Sequence, residues 1–211
     1  MKGTPFIAVM LFAALNAWAG IDEDVARIRQ EWERIKYQTP AKEQAAAFEK
    51  LSKESEKVAV QYPNQAEPAI WHGIIEASYA GAKGGLGALS LAKSARKSFE
   101  QALAIDSKAL GGSAYTSLGS LYYQVPGWPI GFGDDKKALE LLQKGLAINP
   151  DGIDPNYFYG DFLYRSGDYA GAEQALRKAL EAPPREGRKI GDEGRRHEIN
   201  ELLEKIRQKK Q

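Results

Sequence analysis

The side chains most often used in catalysis are scarce in this 211-residue chain. It contains no cysteine and only two histidines, His72 and His197, which argues against thiolate nucleophiles, disulfides and a histidine-rich metal site. Residues 81–87 superficially resemble a phosphate-binding loop, but they lack its Gly-Lys-Ser/Thr end and read better as a linker between helices. Asp134 and Asp135 could bind a cation, although capping of a following helix already explains them. We therefore expect no enzymatic activity, no metal and no cofactor.

Side chains suited to binding are better represented, as two groups of tyrosines interleaved with hydrogen-bonding residues. Such a mixture is typical of a groove for a peptide or a ligand, and an ordinary solvated groove is the alternative interpretation. The positions projected onto one concave surface are Ser113, Thr116, Ser120, Tyr123 and Gln124 in the first group, and Asp154, Tyr157, Asp161, Tyr164 and Arg165 in the second.

A Pro/Gly-rich segment at residues 125–135 carries two further aromatic residues, Trp128 and Phe132. One interpretation is a rigid loop that presents these side chains to a ligand or partner. The other is an ordered loop that packs its own aromatics against the protein core, which is slightly favoured because tryptophan in such a frame usually has to be buried. One loop can serve both roles.

The two groups of predicted groove residues lie in segments that share a recurring pattern of small residues, and this pattern must position them. A glycine is followed, after a connection of variable length, by a small, a large and a small residue. The sets are Gly160 with Ala172, Leu176 and Ala179, then Gly119 with Ala138, Leu142 and Gly145, and, without the glycine, Ala95, Phe99 and Ala102. Glycine in the middle of a helix costs about 1 kcal/mol. We therefore expect another helix to cross closely at Gly119 and at Gly160.

Most of the chain after residue 21 shows the three- and four-residue apolar spacing of helices, and no segment shows the period of a strand. Repeated helix pairs are typical of a stacked solenoid. We expect N-terminal helices over residues 20–66, helix pairs over 67–184 with the insertion at 125–135, and a linker followed by a C-terminal capping helix over 185–211.

The turn Gly167-Asp168-Tyr169 and the spacing around it resemble the tetratricopeptide repeat. The resemblance implies an all-α, tetratricopeptide-like α-solenoid of about three helix pairs, with flanking N-terminal helices and a C-terminal capping helix. Proteins of this kind serve as scaffolds for protein–protein interaction.

The N-terminus has the pattern of a signal peptide over residues 1–19. Lys2 precedes an apolar run of about ten residues, half of the ~20 that a spanning helix needs, and Ala17-Trp18-Ala19 predicts cleavage before Gly20. An uncleaved anchor is the alternative. An exported chain without cysteine fits a bacterial periplasm, and it cannot be a lipoprotein at this site. We expect no membrane span after cleavage.

Opposite charges are almost balanced, with 29 lysines and arginines against 28 aspartates and glutamates. No overall field therefore favours nucleic acid, and no nucleic-acid partner is expected. An oligomer is compatible with the sequence.

The insertion resembles that of the TatT-type periplasmic proteins, which are associated with TRAP transporters. The matching residues are Pro126-Gly127, Gly133-Asp134, Lys137-Ala138 and Asn149-Pro150, and the similarity spans roughly residues 65–205. The resemblance implies a protein partner, a periplasmic substrate-binding protein of such a transporter. It also leaves open a carrier for a small apolar ligand, with a pocket between the groove and the insertion.

Overall fold

The computed structural model describes the backbone of residues 7–209 and the side chains of residues 20–209 apart from residue 86. Residues 1–6 and the side chains of 7–19 lie outside this description. The predicted signal peptide, residues 1–19, is therefore described only by the backbone of residues 7–19. The helices are α1 (Ile7–Gln38), α2 (Ala41–Gln61), α3 (Ala66–Lys83), α4 (Gly85–Ile105), α5 (Ala109–Gln124), α6 (Asp135–Ile148), α7 (Ile153–Arg165), α8 (Tyr169–Glu181) and α9 (Lys189–Lys209). None of these described helices has the length and apolarity needed to cross a membrane.

The helices form a closed ring. Across the described residues, each odd-numbered helix contacts the next odd-numbered one, and α9 contacts α1. Each even-numbered helix contacts only the helices immediately before and after it. Helices α3/α4, α5/α6 and α7/α8 are the three predicted pairs, flanked by α1, α2 and α9. The prediction of an all-α, tetratricopeptide-like solenoid is confirmed.

Glycines in the first helix of each pair face the large residue in the second helix. The contacts are Gly73 with Phe99, Gly119 with Leu142, and Gly160 with Leu176. A Cβ atom built on Gly119 would lie 2.9 Å from Leu142 Cγ, and one built on Gly160 would lie 2.8 Å from Leu176 Cγ. Real Cβ atoms are not found so close to another heavy atom, so the predicted close crossing is confirmed at both positions. The equivalent role of Gly73 was not apparent from the sequence.

Backbone breaks between helices are shorter than the sequence suggests. The stretch 81–87, predicted to be a linker, departs from the helix only around Gly84 and Gly85, both of which have a φ of 61°. Helix α5 begins with a left-handed turn over residues 110–112, in which Leu110 has a φ of 48°. The regular helix therefore starts after this turn.

Asp134 caps helix α6. Its carboxylate accepts a hydrogen bond from the backbone amide of Lys137 at 3.0 Å, which satisfies one of the free N–H groups of the first turn. This is the role that the sequence favoured over a cation site. In the part of the chain that the structure describes, no cluster of three or more His, Asp or Glu side chains could hold a metal ion.

Replacing Gly119 by alanine should destabilise the protein, although alanine is the better helix former. The added methyl group would meet Leu142 Cγ at 2.9 Å and the backbone nitrogen of the same residue at 3.1 Å. Overpacking of this kind costs about 1–3 kcal/mol, which outweighs the ~1 kcal/mol gain in helix propensity. Urea unfolding should show a lower free energy of unfolding for G119A.

Gly81→Ala is the matched control, because Gly81 also lies inside a helix but a Cβ there would have no neighbour within 4 Å. This variant should be more stable than the wild type by up to about 1 kcal/mol. If both alanine variants were stabilised, the close crossing at Gly119 would be refuted.

Candidate functional site

A buried carboxylate joins the first helix to the last. Glu33 on α1 is only 2% exposed. It accepts a hydrogen bond from Arg188 Nε at 2.8 Å and another from the backbone amide of Gly191 at 3.2 Å. A Cβ on Gly191 would lie 2.6 Å from Glu33 Oε1, so this glycine lets α9 approach α1 closely. These contacts close the ring of helices.

Arg195 on α9 extends the same polar contact to α7. Its guanidinium is paired with Asp154 at 2.8 Å and with Glu198 at 2.6 Å. It also lies over the rings of Tyr157 and Phe158, 4.2 and 4.7 Å from their centroids. Tyr157, predicted to face an open groove, is therefore covered by the capping helix.

Asp154 is held between two arginines, since Arg185 Nη1 lies 2.6 Å from its other carboxylate oxygen. Burial alone would raise the pKa of Asp154, but attraction to Arg195, Arg185 and Arg188 outweighs it and keeps the pKa well below the ordinary value. Arg185 is in turn paired with Asp192 at 2.6 Å. The charged residues described in this and the two preceding paragraphs form what we call the closing network: Glu33, Asp154, Arg185, Arg188, Asp192, Arg195 and Glu198.

Helices α5 and α7 meet through a second polar cluster, which contains four predicted groove residues. The Tyr123 hydroxyl donates to Asp161 Oδ2 at 2.7 Å, and Arg165 Nε donates to the same oxygen at 3.1 Å. The Arg165 guanidinium also lies 5.3 Å from the centre of the Tyr123 ring, and Gln124 donates to the Tyr123 hydroxyl at 3.4 Å. Burial, followed by the charge of Asp161, raises the pKa of Tyr123 well above its ordinary value. Only Gln124 and Arg165 are exposed.

The other predicted groove residues lie apart from this cluster. Thr116 is buried, 3% exposed, at the α5–α6 interface, where it fills the space that a side chain at Gly145 would need. Ser120 donates to the carbonyl of Ser117 at 2.9 Å. Tyr164 is partly buried against the Tyr169 ring, 5.6 Å between centroids. The predicted groove positions therefore do not form one continuous open surface.

The two ends of the 125–135 loop are hydrogen-bonded to each other, and its C-terminal end is also bonded to helix α5. The amide of Gly133 donates to the Pro126 carbonyl at 2.9 Å, and the amide of Asp134 donates to the Tyr122 carbonyl at 3.0 Å. A Cβ on Gly133 would collide with the carbonyl oxygen of Val125, so only glycine fits this crossing of the backbone. The loop is thus a defined structure.

The two aromatic side chains of the loop differ in their exposure to solvent. Phe132 packs edge-on against Tyr122 at 5.5 Å, with the Arg96 guanidinium 5.1 Å from its ring centre. Trp128, by contrast, is 90% exposed, and Ile130 is 71% exposed. Phe132 therefore packs against the helices as one interpretation expected, but the expectation that the tryptophan would be buried is wrong.

Ile130 and the α4 residues that face the loop are not among the predicted site residues. Lys93, Arg96, Lys97 and Glu100 line one side of a cleft whose other side is residues 129–132. The signal available was the cationic spacing of α4, with Lys93 and Lys97 one helical turn apart. Only the fold brings that face against the loop.

Comparison with known proteins identifies the repeat. Residues 130–188 match the family described as tetratricopeptide repeat. This stretch spans α6, α7 and α8. It contains all of the Gly160 set of small residues and the Gly119 set apart from Gly119 itself, which lies in α5.

Two solved structures, both of MamA, are similar to this chain. The first is 20% identical and has a TM-score of 0.46, covering 78% of this chain and 90% of that one. The second is 19% identical with a TM-score of 0.45, covering 88% and 91%. No curated protein matches the chain. The resemblance to TatT-type proteins stays a prediction.

Replacing Asp154 by asparagine should cost about 3 kcal/mol of stability at pH 7, because Arg195 would keep its burial and lose a charged partner. The folded-state pKa of Asp154 is lowered, so its stabilising contribution is fully present above the unfolded-state pKa of about 3.9. Below that pH the wild type should lose about 1.4 kcal/mol per pH unit from this group. The variant should lack that part of the slope.

Urea unfolding at pH 7 and at pH 3 measures both effects. Asp151→Asn is the matched control, since its side chain is 82% exposed and its pair with Lys178 is on the surface; a change below about 0.5 kcal/mol is expected. Equal losses in the two variants would contradict the importance of the closing network.

Proposed function

We propose that this protein is a scaffold that binds a protein partner through the 125–135 loop. The observation that carries the proposal is the exposure of Trp128 and Ile130, at 90% and 71%, on a loop fastened to a rigid solenoid. Neighbouring large apolar side chains in water often mark an interaction site, and tryptophan is enriched among the residues that dominate binding energy. Helical-repeat solenoids use such surfaces for binding.

Export and partner identity are the finer parts of the proposal. The signal-peptide pattern at residues 1–19 supports a periplasmic location, and the TatT-type resemblance of the insertion supports a periplasmic substrate-binding protein of a TRAP-type transporter as the partner. Such a partner would need a surface able to enclose Trp128.

A carrier for a small apolar ligand is the alternative, and the cavities give it little support. The cleft beside the loop has a volume of about 430 Å³ and three cationic residues in its wall. A second cavity of about 390 Å³, between α1 and α2, is lined by Glu31, Arg34, Glu43, Lys50 and Glu54 among others. Pockets for apolar ligands are lined mainly by apolar side chains, so both cavities suit polar partners better.

Replacing both Trp128 by alanine and Ile130 by serine should abolish partner capture without unfolding the protein, because both side chains are exposed. A central tryptophan contributes about 2 kcal/mol or more in many interfaces, so affinity should fall at least about thirtyfold. The measurement is affinity capture from a periplasmic extract, with the stoichiometry of bound proteins determined by mass spectrometry, followed by titration of the purified partner.

Val60→Ser is the matched control, since Val60 is 72% exposed on α2, in another part of the molecule. This variant should retain the partner. Retention of the same partner by the loop variant would refute the proposed site, and a co-purified small molecule without any stoichiometric protein would favour the carrier.

A further inference from the structure

We infer that the cleft between α4 and the loop binds an extended acidic segment of the protein partner, with an apolar side chain packed on the loop and carboxylates paired with Lys93 and Lys97. The inference rests on the proposed function, because it assumes that the partner covers Trp128. It adds the chemistry by which that partner is recognised.

The two walls of the cleft differ in chemistry. One wall is the α4 face with Lys93, Arg96, Lys97 and Glu100, and the other is residues 129–132 of the loop. The volume of about 430 Å³ is within the range of roughly 300–1,000 Å³ that ligand-sized pockets occupy. A segment lying between these walls would meet cations on one side and apolar groups on the other.

The cations of the α4 wall differ in whether they already have an anionic partner. Arg96 is paired with Glu100 at 2.9 Å and lies over the Phe132 ring. Lys93 and Lys97 are exposed and make no ion pair with any residue that the structure describes. Two lysines one turn apart therefore remain available for carboxylates, and they make the net charge of this wall positive.

The loop supplies the apolar half of the site in a fixed form. Ile130 lines the cleft and is 71% exposed. Trp128 directly precedes Pro129, the first loop residue of this wall. Hydrogen bonds from the amides of Ile130 and Gly131 to the carbonyl of Gly127, at 3.2 and 3.0 Å, hold the loop backbone. A preformed loop loses little conformational entropy on binding, which favours affinity.

Charge distribution favours a protein segment over a membrane surface. Glu100 lies in the wall of the cleft, and Asp134 and Asp135 are exposed at the end of the loop. The exposed Lys136 and Lys137 offset the two aspartates, so the excess positive charge lies inside the cleft, on the α4 wall, where an acidic segment can meet it. A peptide lying along the cleft meets Lys93 and Lys97 without covering the two aspartates.

A random heptapeptide library displayed on phage tests the inference without knowledge of the partner. Selection on the full folded chain should enrich peptides with two or more acidic residues beside a large apolar one. The enriched peptides, synthesised and titrated, should bind at least about tenfold more weakly to Lys93→Glu/Lys97→Glu. Affinity should also fall when NaCl is raised from about 0.05 M to about 0.5 M.

Lys42→Glu/Lys57→Glu is the control for charge reversal, since both lysines are exposed on α2; it should bind the peptides as the wild type does. Enrichment of basic or neutral peptides, no enrichment, or unchanged binding by Lys93→Glu/Lys97→Glu would overturn the inference. Binding to phosphatidylglycerol vesicles that the same variant abolishes would also overturn it.

Capture of the native partner by the two variants distinguishes a failure of this inference from a failure of the proposed function. If Trp128→Ala/Ile130→Ser loses the captured protein but Lys93→Glu/Lys97→Glu retains it, the loop is the docking site and the acidic segment is refuted. If the loop variant retains the captured protein, the proposed function itself fails.

Discussion

Buried ion pairs between the two ends of the chain determine the shape of this solenoid. Glu33 on α1 and Arg188 just before α9 are separated by 155 positions in sequence and paired at 2.8 Å. Glu33 is buried where α9 packs on α1, and a carboxylate that stays buried without its partner costs several kcal/mol, so the closed arrangement requires the contacts with Arg188 and Gly191. The wider closing network ties α7 to the same place through Arg195 and Asp154. A stack of helix pairs, which could otherwise have open ends, thus becomes a ring.

Closure decides which surfaces remain for binding. The inner face of α7 is covered where Arg195 lies over Tyr157, and Tyr123 is engaged with Asp161 between α5 and α7. In the loop at residues 125–135, Trp128 remains exposed. We therefore propose recognition by this irregular segment, because binding residues are often carried by loops that regular elements hold in place.

Structural features that depend on the local spacing of residues could be predicted from the sequence. Mid-helix glycines carry a propensity cost that only close packing explains, so the crossings at Gly119 and Gly160 could be expected. The closing network could not be predicted, because nothing in the spacing of charges pairs residue 33 with residue 188. The loop was ambiguous for a similar reason: whether Trp128 or Phe132 is buried depends on which one reaches Tyr122 across the fold. Site positions projected from helix periodicity failed to anticipate that Thr116 faces Gly145.

The distance between the chain ends tests this account most directly. The protein has no cysteine, so cysteines introduced at the exposed positions Gln30 on α1 and Asn200 on α9 can carry spin labels without background. Double electron–electron resonance should give one narrow distance distribution, and Glu33→Ala should broaden it while the helical circular dichroism is retained. A broad distribution in the otherwise native protein, or a narrow one that Glu33→Ala leaves unchanged, would contradict the claim that buried ion pairs close the ring.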